Sequence, residues 1–217
     1  MAVPMIYPYK TVVLAAGDFP EREEALVMLR QAEEVICCDS AADLLLHAGL
    51  EPCYIIGDMD SLSSSVRRRY ASRIRHFPEQ ETNDLAKALQ FCMSRQRNGI
   101  HLMGIGGKRE DHAIANLSVM FAYSRHLELQ AITNYGVFHP VRKTTVFESV
   151  PKQQVSVFSL IYGTLFTYEG LKYPLTNAPL SEWWQGTLNE ACDTRFTVEI
   201  HGGGALVFRE FTLKKNG

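Results

Sequence analysis

Cys53-Tyr54-Ile55-Ile56-Gly57-Asp58-Met59-Asp60-Ser61 is the stretch on which the fold turns. A short apolar run stops at a glycine and passes at once into two carboxylates. Runs of this length, bounded by turn residues, fit a strand buried on both faces. The same form recurs on either side. Thr11-Val12-Val13-Leu14-Ala15-Ala16 ends at Gly17, and Val35-Ile36-Cys37-Cys38 ends at Asp39. Ile100-His101-Leu102-Met103 ends at Gly104, and 127–133 is one more strand. Helical signals fill the gaps. Residues 21–30 read as a helix, and Ala41, Leu44, Leu45 and Ala48 fall on one helical face, with Gly49 placed to stop it. Leu85, Ala88, Leu89 and Cys92 make a second stripe; Ile114, Leu117 and Phe121 mark a third. Strands alternating with helices imply an α/β domain with a mostly parallel sheet. Ligands of such sheets bind beyond the carboxyl ends of the strands. Asp39, Asp58, Asp60 and the segment 104–111 all fall there.

After about residue 140 the pattern changes. Segments 144–150, 154–162, 164–171, 196–201 and 205–213 are β-rich with turn residues between them, and no helical period appears. This predicts a small antiparallel β domain, with the boundary within 136–145.

Composition removes several function classes. Lys and Arg number 22 against 24 Asp and Glu, so no basic excess exists to neutralise a nucleic-acid backbone. The Arg67-Arg68-Arg69 run therefore reads as a solvated helix face and Ser63-Ser64-Ser65 as a turn and cap. No apolar run reaches the ~18 residues of a membrane span, and the first ten residues have no signal core, so a cytoplasmic protein is expected. The five cysteines include no C-x-x-C pair. Cys37, Cys38 and Cys53 read as small buried hydrophobes in a reducing compartment, and zinc is not expected.

Each of three clusters has a functional and a structural reading. Asp58 and Asp60, one residue apart, would point to the same side of an extended chain. Oxygen-only ligation suits Mg²⁺; a solvated turn is the alternative. In Gln80-Glu81-Thr82-Asn83-Asp84-Leu85-Ala86-Lys87, Thr82 or Asn83 suits a helix N-cap and Asp84 the positive end of the helix dipole. Asp84 is equally a candidate third metal carboxylate or a base, and Lys87 a phosphate contact. In Gly104-Ile105-Gly106-Gly107-Lys108-Arg109-Glu110-Asp111-His112, glycines let backbone N–H groups approach an anion, and Lys108 and Arg109 add positive charge. The stretch is neither a Walker A loop nor G-x-G-x-x-G. An exposed glycine-rich turn is the alternative, and His112 reads as a hydrogen-bonded structural residue.

Together and in this order, the clusters resemble the thiamine pyrophosphokinase family. The family's G-D-x-D-S is matched by Gly57-Asp58-Met59-Asp60-Ser61, and its T-(x)-D-x-x-K-A by Thr82-Asn83-Asp84-Leu85-Ala86-Lys87-Ala88. Its G-G-x-R-x-D-H is matched by Gly106-Gly107-Lys108-Arg109-Glu110-Asp111-His112, and Asn189-Glu190 falls where a Ser-Asn-Glu-like segment is expected. Departures occur at Asp39-Ser40-Ala41, where the family often has Asp-Gly-Gly, and at Leu188, which replaces the Ser. The resemblance implies a Rossmann-like α/β domain over 1–140, binding ATP and Mg²⁺, and an antiparallel β-sandwich over 141–217. It implies a homodimer with thiamine at the subunit interface, and pyrophosphoryl transfer from ATP to thiamine. Asp58, Asp60 and Asp84 would then hold the metal, with Arg109 and Asp111 also catalytic. Asp39, Gln80, Thr82, Lys87, Gly107 and Arg109 would line the nucleotide, and Asn189, Thr187 and Phe208 would face thiamine, with Trp183 and Trp184 as further aromatic candidates. The other readings are a different Mg-ATP-dependent kinase of a small alcohol, and a non-catalytic nucleotide or thiamine sensor. A nicotinamide oxidoreductase lacks its glycine fingerprint after the first strand.

Overall fold

Each apolar run named above becomes a strand with its side chains withdrawn from water. The computed structural model describes residues 2–211 and divides into two compact units, Pro8–Asn134 and Met1–Tyr7 with Tyr135–Gly217. The first unit runs β1 (Thr11–Leu14), α1 (Glu23–Gln31), β2 (Glu34–Cys38), α2 (Ala41–His47), β3 (Tyr54–Gly57), α3 (Ser64–Arg69), a 3-10 turn (Ala71–Arg73) and β4 (Ile74–His76). It continues through α4 (Asp84–Ser94), β5 (Gly99–Met103), α5 (Glu110–Tyr123) and β6 (Glu128–Ile132). The sheet order is β6-β5-β1-β2-β3-β4, and every pairing is parallel. All of β1 and β2 is buried, as a sheet covered on both faces requires.

This order fixes where a ligand can lie. The chain moves outward from β1 through β2 and β3 to β4, then returns to place β5 on the other side of β1. The strand order reverses between β1 and β5, and a crevice opens beyond the carboxyl ends of such a pair.

The helices follow their periodicity with local corrections. α4 buries Leu85, Ala88, Leu89 and Cys92 as expected, and also Lys87. In α5 the buried residues are Met120 and Phe121, whereas Ile114 is exposed. Arg67, Arg68 and Arg69 close α3, where their charge favours the helix C-terminus. Cys37 and Cys38 are buried, but Cys53 is only half-buried because it lies just before β3, at the amino end of the strand.

The second unit contains β7 (Gly136–Val141), β8 (Thr145–Glu148), β9 (Gln154–Ser159), β10 (Leu165–Glu169), β11 (Ala178–Pro179), a 3-10 turn (Trp183–Gly186), β12 (Asn189–Glu190), β13 (Arg195–His201) and β14 (Ala205–Glu210). One antiparallel set runs β12-β9-β14-β7 and the other β11-β10-β13-β8. They share a core that includes Phe147, Val157, Phe166, Phe196 and Val207. The rings of Phe147 and Phe196 stack at 5.0 Å. Val3 pairs with Phe147, which ties the start of the chain to β8.

Three features of this unit differ from the sequence reading. β7 contains Pro140, which masks a strand because proline cannot donate to a ladder. The 3-10 turn at Trp183–Gly186 is too short to leave a helical period. β9 ends at Ser159, and Tyr162 beyond it is fully exposed. The part of the last expected strand at Thr212 and Leu213 lies outside the described residues.

Candidate active site

Asp39 is the hub of the acidic cluster. It follows β2 in a left-handed conformation, φ 43°, and its N–H donates to Ile56 O at 2.8 Å. Its side chain is buried; Oδ2 accepts from Ser61 N at 3.3 Å, while Oδ1 has no hydrogen-bond partner. Next to it β3 ends at Gly57, φ 152°, where a Cβ would lie 3.2 Å from both Asp39 Cβ and Asp84 Oδ1. A side chain there would push these two acids apart, so a glycine is needed.

Asp58 and Asp60 do not lie in an extended chain. Met59 between them is buried with φ 69°, so the backbone turns and Asp60 N donates to Asp58 Oδ1 at 3.1 Å. The turn folds both acids toward Asp39, and carboxylate oxygens of Asp39, Asp58 and Asp60 lie within 4.8 Å of one another. Gln80 Nε2 donates to Asp58 Oδ2 at 2.7 Å. An all-oxygen trio of this spacing, with one buried oxygen unpartnered, suits a hard divalent cation.

Asp84 opens α4, where Asn83 caps the helix by accepting from Ala86 N at 2.9 Å. Thr82 does not cap; its hydroxyl donates to Glu79 Oε1 at 2.6 Å. Asp84 Oδ1 is 3.4 Å from Nζ of Lys87, a lysine only 2% exposed. Among the described residues this long contact is the ion pair of Lys87, and a buried ammonium so held keeps charge available for a phosphate.

Burial and crowding separate the acids electrostatically. Burial pushes Asp39 up to about 6, and the Asp84 and Asp60 charges add to the effect. Asp84 is raised by burial, with Lys87 opposing. Asp58 is held low by the Gln80 amide and the Asp60 N–H. Since Asp39 is raised from 3.8 to about 6, the native chain holds a proton across that interval that the unfolded chain has released. Stability without metal therefore falls as pH rises through it. In EDTA, the drop in urea midpoint from pH 4.5 to pH 7 is expected to be smaller in Asp39→Asn than in the parent. Equal drops in both proteins would refute a raised Asp39.

The third cluster forms the wall of the crevice between β1 and β5. Gly17 N donates to Gly104 O and Asp18 N to Gly106 O, both at 2.8 Å. Gly107, φ 97°, passes so close to Asp18 that a Cβ would strike its carboxylate. Lys108 Nζ donates to Ala16 O at 2.8 Å. A cavity of about 240 Å³ opens here, lined by Gly17, Gly104, Gly106, Lys108, Arg109 and Asn116 among others. Arg109 and Asp111 form a bidentate pair at 2.6 and 3.1 Å. This guanidinium, with the His112 N–H, holds Asp111 down at about 2. An amide relay joins the clusters: Asn83 Nδ2 donates to Asn116 Oδ1 at 3.1 Å, and Asn116 Nδ2 to Ile105 O at 2.9 Å. Asp18, Glu79 and Asn116 are absent from the sequence reading, because their partners are distant in sequence or carry no motif.

Comparison with known proteins identifies what this arrangement belongs to. Residues 26–132 match the family model "Thiamin pyrophosphokinase, catalytic domain", and residues 136–208 match "Thiamin pyrophosphokinase, substrate-binding domain". The chain belongs to the thiamin pyrophosphokinase family. A thiamine pyrophosphokinase of Bacillus subtilis is 29% identical over 152 residues, 66% of this chain and 71% of that one. The crystal structure of the Bacillus subtilis enzyme superposes with a TM-score of 0.78 at 24% identity, covering 94% of this chain and all of that one. Thiamin pyrophosphokinase from Candida albicans gives 0.79 at 16% identity, covering 96% and 91%. The mixed α/β fold, with its parallel sheet and separate antiparallel sheet, is thus that of thiamin pyrophosphokinases, and the chain is an enzyme of this class.

The remaining residues named from the resemblance lie in the β unit. Asn189 is buried, and its side chain is engaged with the backbone: Oδ1 accepts from Tyr173 N at 3.0 Å and Glu190 N at 2.8 Å, and Nδ2 donates to Tyr173 O at 2.8 Å. Thr187 Oγ1 donates to Trp184 O at 2.7 Å. Phe208 is half-buried and contacts Phe138 at 4.8 Å between ring centroids, while Trp183 and Trp184 are exposed.

Proposed function

We propose that this chain transfers the pyrophosphoryl group of Mg-ATP to the hydroxyl of thiamine, giving thiamine diphosphate and AMP. The observation that carries the reading is the acidic trio with Asp84 and buried Lys87 beside it, in the same unit as a cationic glycine crevice at the sheet's switch point. Mg²⁺ fits the trio, since Asp39 supplies a buried oxygen lacking a partner, Asp58 a half-buried carboxylate and Asp60 an exposed one. When bound, it supplies charge neutralisation for the phosphate oxygens.

The side chains take distinct tasks. Lys108 and Arg109 hold the triphosphate against the glycine loop, and Lys87 neutralises the oxygens nearest Asp84. The thiamine oxygen attacks the β-phosphorus as the bond to the α-phosphate oxygen breaks and AMP departs. Asp84 suits the role of proton acceptor for the hydroxyl because burial raises its affinity for a proton. Asp111, held at about 2 by Arg109, is better suited to fixing that guanidinium. Most of the acceleration then comes from positioning and charge. Gln80 holds Asp58, and Thr82 pins its own loop through Glu79.

For thiamine, Phe208, its ring neighbour Phe138 and the Phe158 ring that Phe138 contacts in turn offer an aromatic surface suited to a cationic ring. Asn189 shapes the segment at Tyr173 through its backbone bonds, and Thr187 lies on the connection just before it. The wider reading is a Rossmann-like unit, a β-sandwich and a homodimer with thiamine at the subunit interface. A cytoplasmic location belongs to the same reading; among the described residues no helix is long and apolar enough to cross a membrane.

The test is incubation with thiamine and Mg-ATP followed by chromatography. AMP and thiamine diphosphate in equal amounts are expected. ADP with thiamine monophosphate would replace the reading by simple phosphorylation, and no nucleotide turnover would leave a binding protein.

A further inference from the structure

A cavity of the Pro8–Asn134 unit lies at the edge of the parallel sheet opposite the acidic trio. It has a volume of about 640 Å³, and its lining includes Thr11, Tyr54, Arg73, Arg75 and Arg97. Thr11 and Tyr54 are the first residues of β1 and β3, so this is the amino end of the strands. Strands of four residues, at about 3.3 Å each, separate it from the carboxylates at their other end. The volume is in the range of small-molecule sites.

The arginines are held in place and incompletely used. Arg73 Nη1 donates to Glu51 Oε2 at 3.0 Å and Pro52 O at 2.8 Å. Arg97 Nε donates to Glu34 Oε2 at 2.8 Å. Arg75 Nη1 donates to Ser72 O at 3.0 Å and Ile74 O at 2.8 Å, and among the described residues Arg75 has no ion pair. Each guanidinium is thus anchored through one nitrogen and keeps its others without a partner among the described residues. Tyr54 stiffens the wall, with Arg75 and Arg95 lying 5.1 and 4.9 Å from its ring centroid. Preorganised forks of this kind match an oxyanion, and one with oxygens on several sides serves three guanidiniums better than a carboxylate does.

We propose that this arginine-lined cavity binds a small phosphate or diphosphate anion, at a site separate from the active site. Glu33 and Glu34 also line the cavity; Glu34 is paired with Arg97 and Arg95, whereas Glu33 has no ion pair among the described residues, so its charge opposes the anion. The proposal does not depend on the activity assigned above.

Calorimetric titration of the full chain with inorganic pyrophosphate in EDTA tests it. Saturable binding is expected, weakened about tenfold or more in Arg75→Gln. Glu33→Gln should tighten it about two- to fivefold, and Lys143→Gln, at an exposed lysine of the β unit, should leave it unchanged. A parallel titration with thiamine diphosphate distinguishes sources: tighter Arg75-dependent binding assigns the site to the diphosphate tail of the product, equal binding to a free anion. Should Arg75→Gln fail to fold, the Nε–H resonance of Arg75 in the unaltered chain must shift on titration. No saturable binding, or indifference to both Arg75 and Glu33, would overturn the proposal.

Discussion

In Asp60→Ala, AMP release falls about a thousandfold while the melting temperature in EDTA stays within a few degrees of the parent value. Asp60 is exposed, and its carboxylate accepts from the adjacent Ser61 hydroxyl at 2.7 Å, so truncation opens no cavity. Surface changes of this kind usually stay within about 0.5 kcal/mol. Without metal, the loss removes one of the charges crowding Asp39, which favours the fold slightly. Catalysis has no such compensation. Charge stabilisation by a bound divalent ion is worth several kcal/mol, and about 4 kcal/mol corresponds to a thousandfold in rate. The trio of Asp39, Asp58 and Asp60 becomes a pair, and its one exposed carboxylate is lost. A second readout separates this from a surface effect: Mg²⁺ should raise the melting temperature of the parent and not that of the variant. Turnover above about a tenth of the parent value, with the thermal response to Mg²⁺ retained, would remove Asp60 from the site.

The site was legible where its chemistry is local. Gly57, Asp58 and Asp60 announce themselves because an apolar run ends on them, and the cap narrows to Thr82 or Asn83 because it is a short-range bond, made by Asn83 to Ala86 N. The segment 104–111 is readable for the same reason, since its glycines adjoin its cations. What lay hidden depends on contacts between distant residues. The carboxylate of Asp18 against Gly107 carries no motif, and neither does the Asn83–Asn116–Ile105 relay. Met59 shows the limit within a motif. An alternating pair of acids predicts a common side by extension, yet the left-handed turn at Met59 gathers them by bending. Lys87 is the reverse case. A lone lysine on a helix usually faces water, and its burial follows from the packing of α4 against strands whose identity the lysine itself does not reveal.

The same long-range logic governs the expected cost of Arg209→Met, about 3 kcal/mol of stability, measured by urea unfolding. Arg209 is fully buried, and burial pushes its guanidinium down to about 10. It donates to Glu148 O at 2.6 Å and Pro4 O at 2.5 Å, with a longer bond to Val3 O at 3.4 Å. It also lies 2.8 Å from His139 Nε2 and 4.9 Å from the centroid of Phe147. Two effects oppose each other on substitution. Methionine removes the cost of burying a cation, which alone would stabilise the unit. It also removes the guanidinium donors to the Pro4 and Glu148 carbonyls, each loss costing about 1–3 kcal/mol if the carbonyl stays dry. Loss of the donors outweighs the relief, because the guanidinium joins three separate segments: the first residues, the end of β8, and β7. Those first residues pair with β8 through Val3, so freeing them also strips cover from Phe147. Deleting residues 2–7 should therefore cost about as much as the substitution, and the two together much less than their sum. Full additivity, or a variant within about 0.5 kcal/mol of the parent, would show that Arg209 does not clamp the start of the chain.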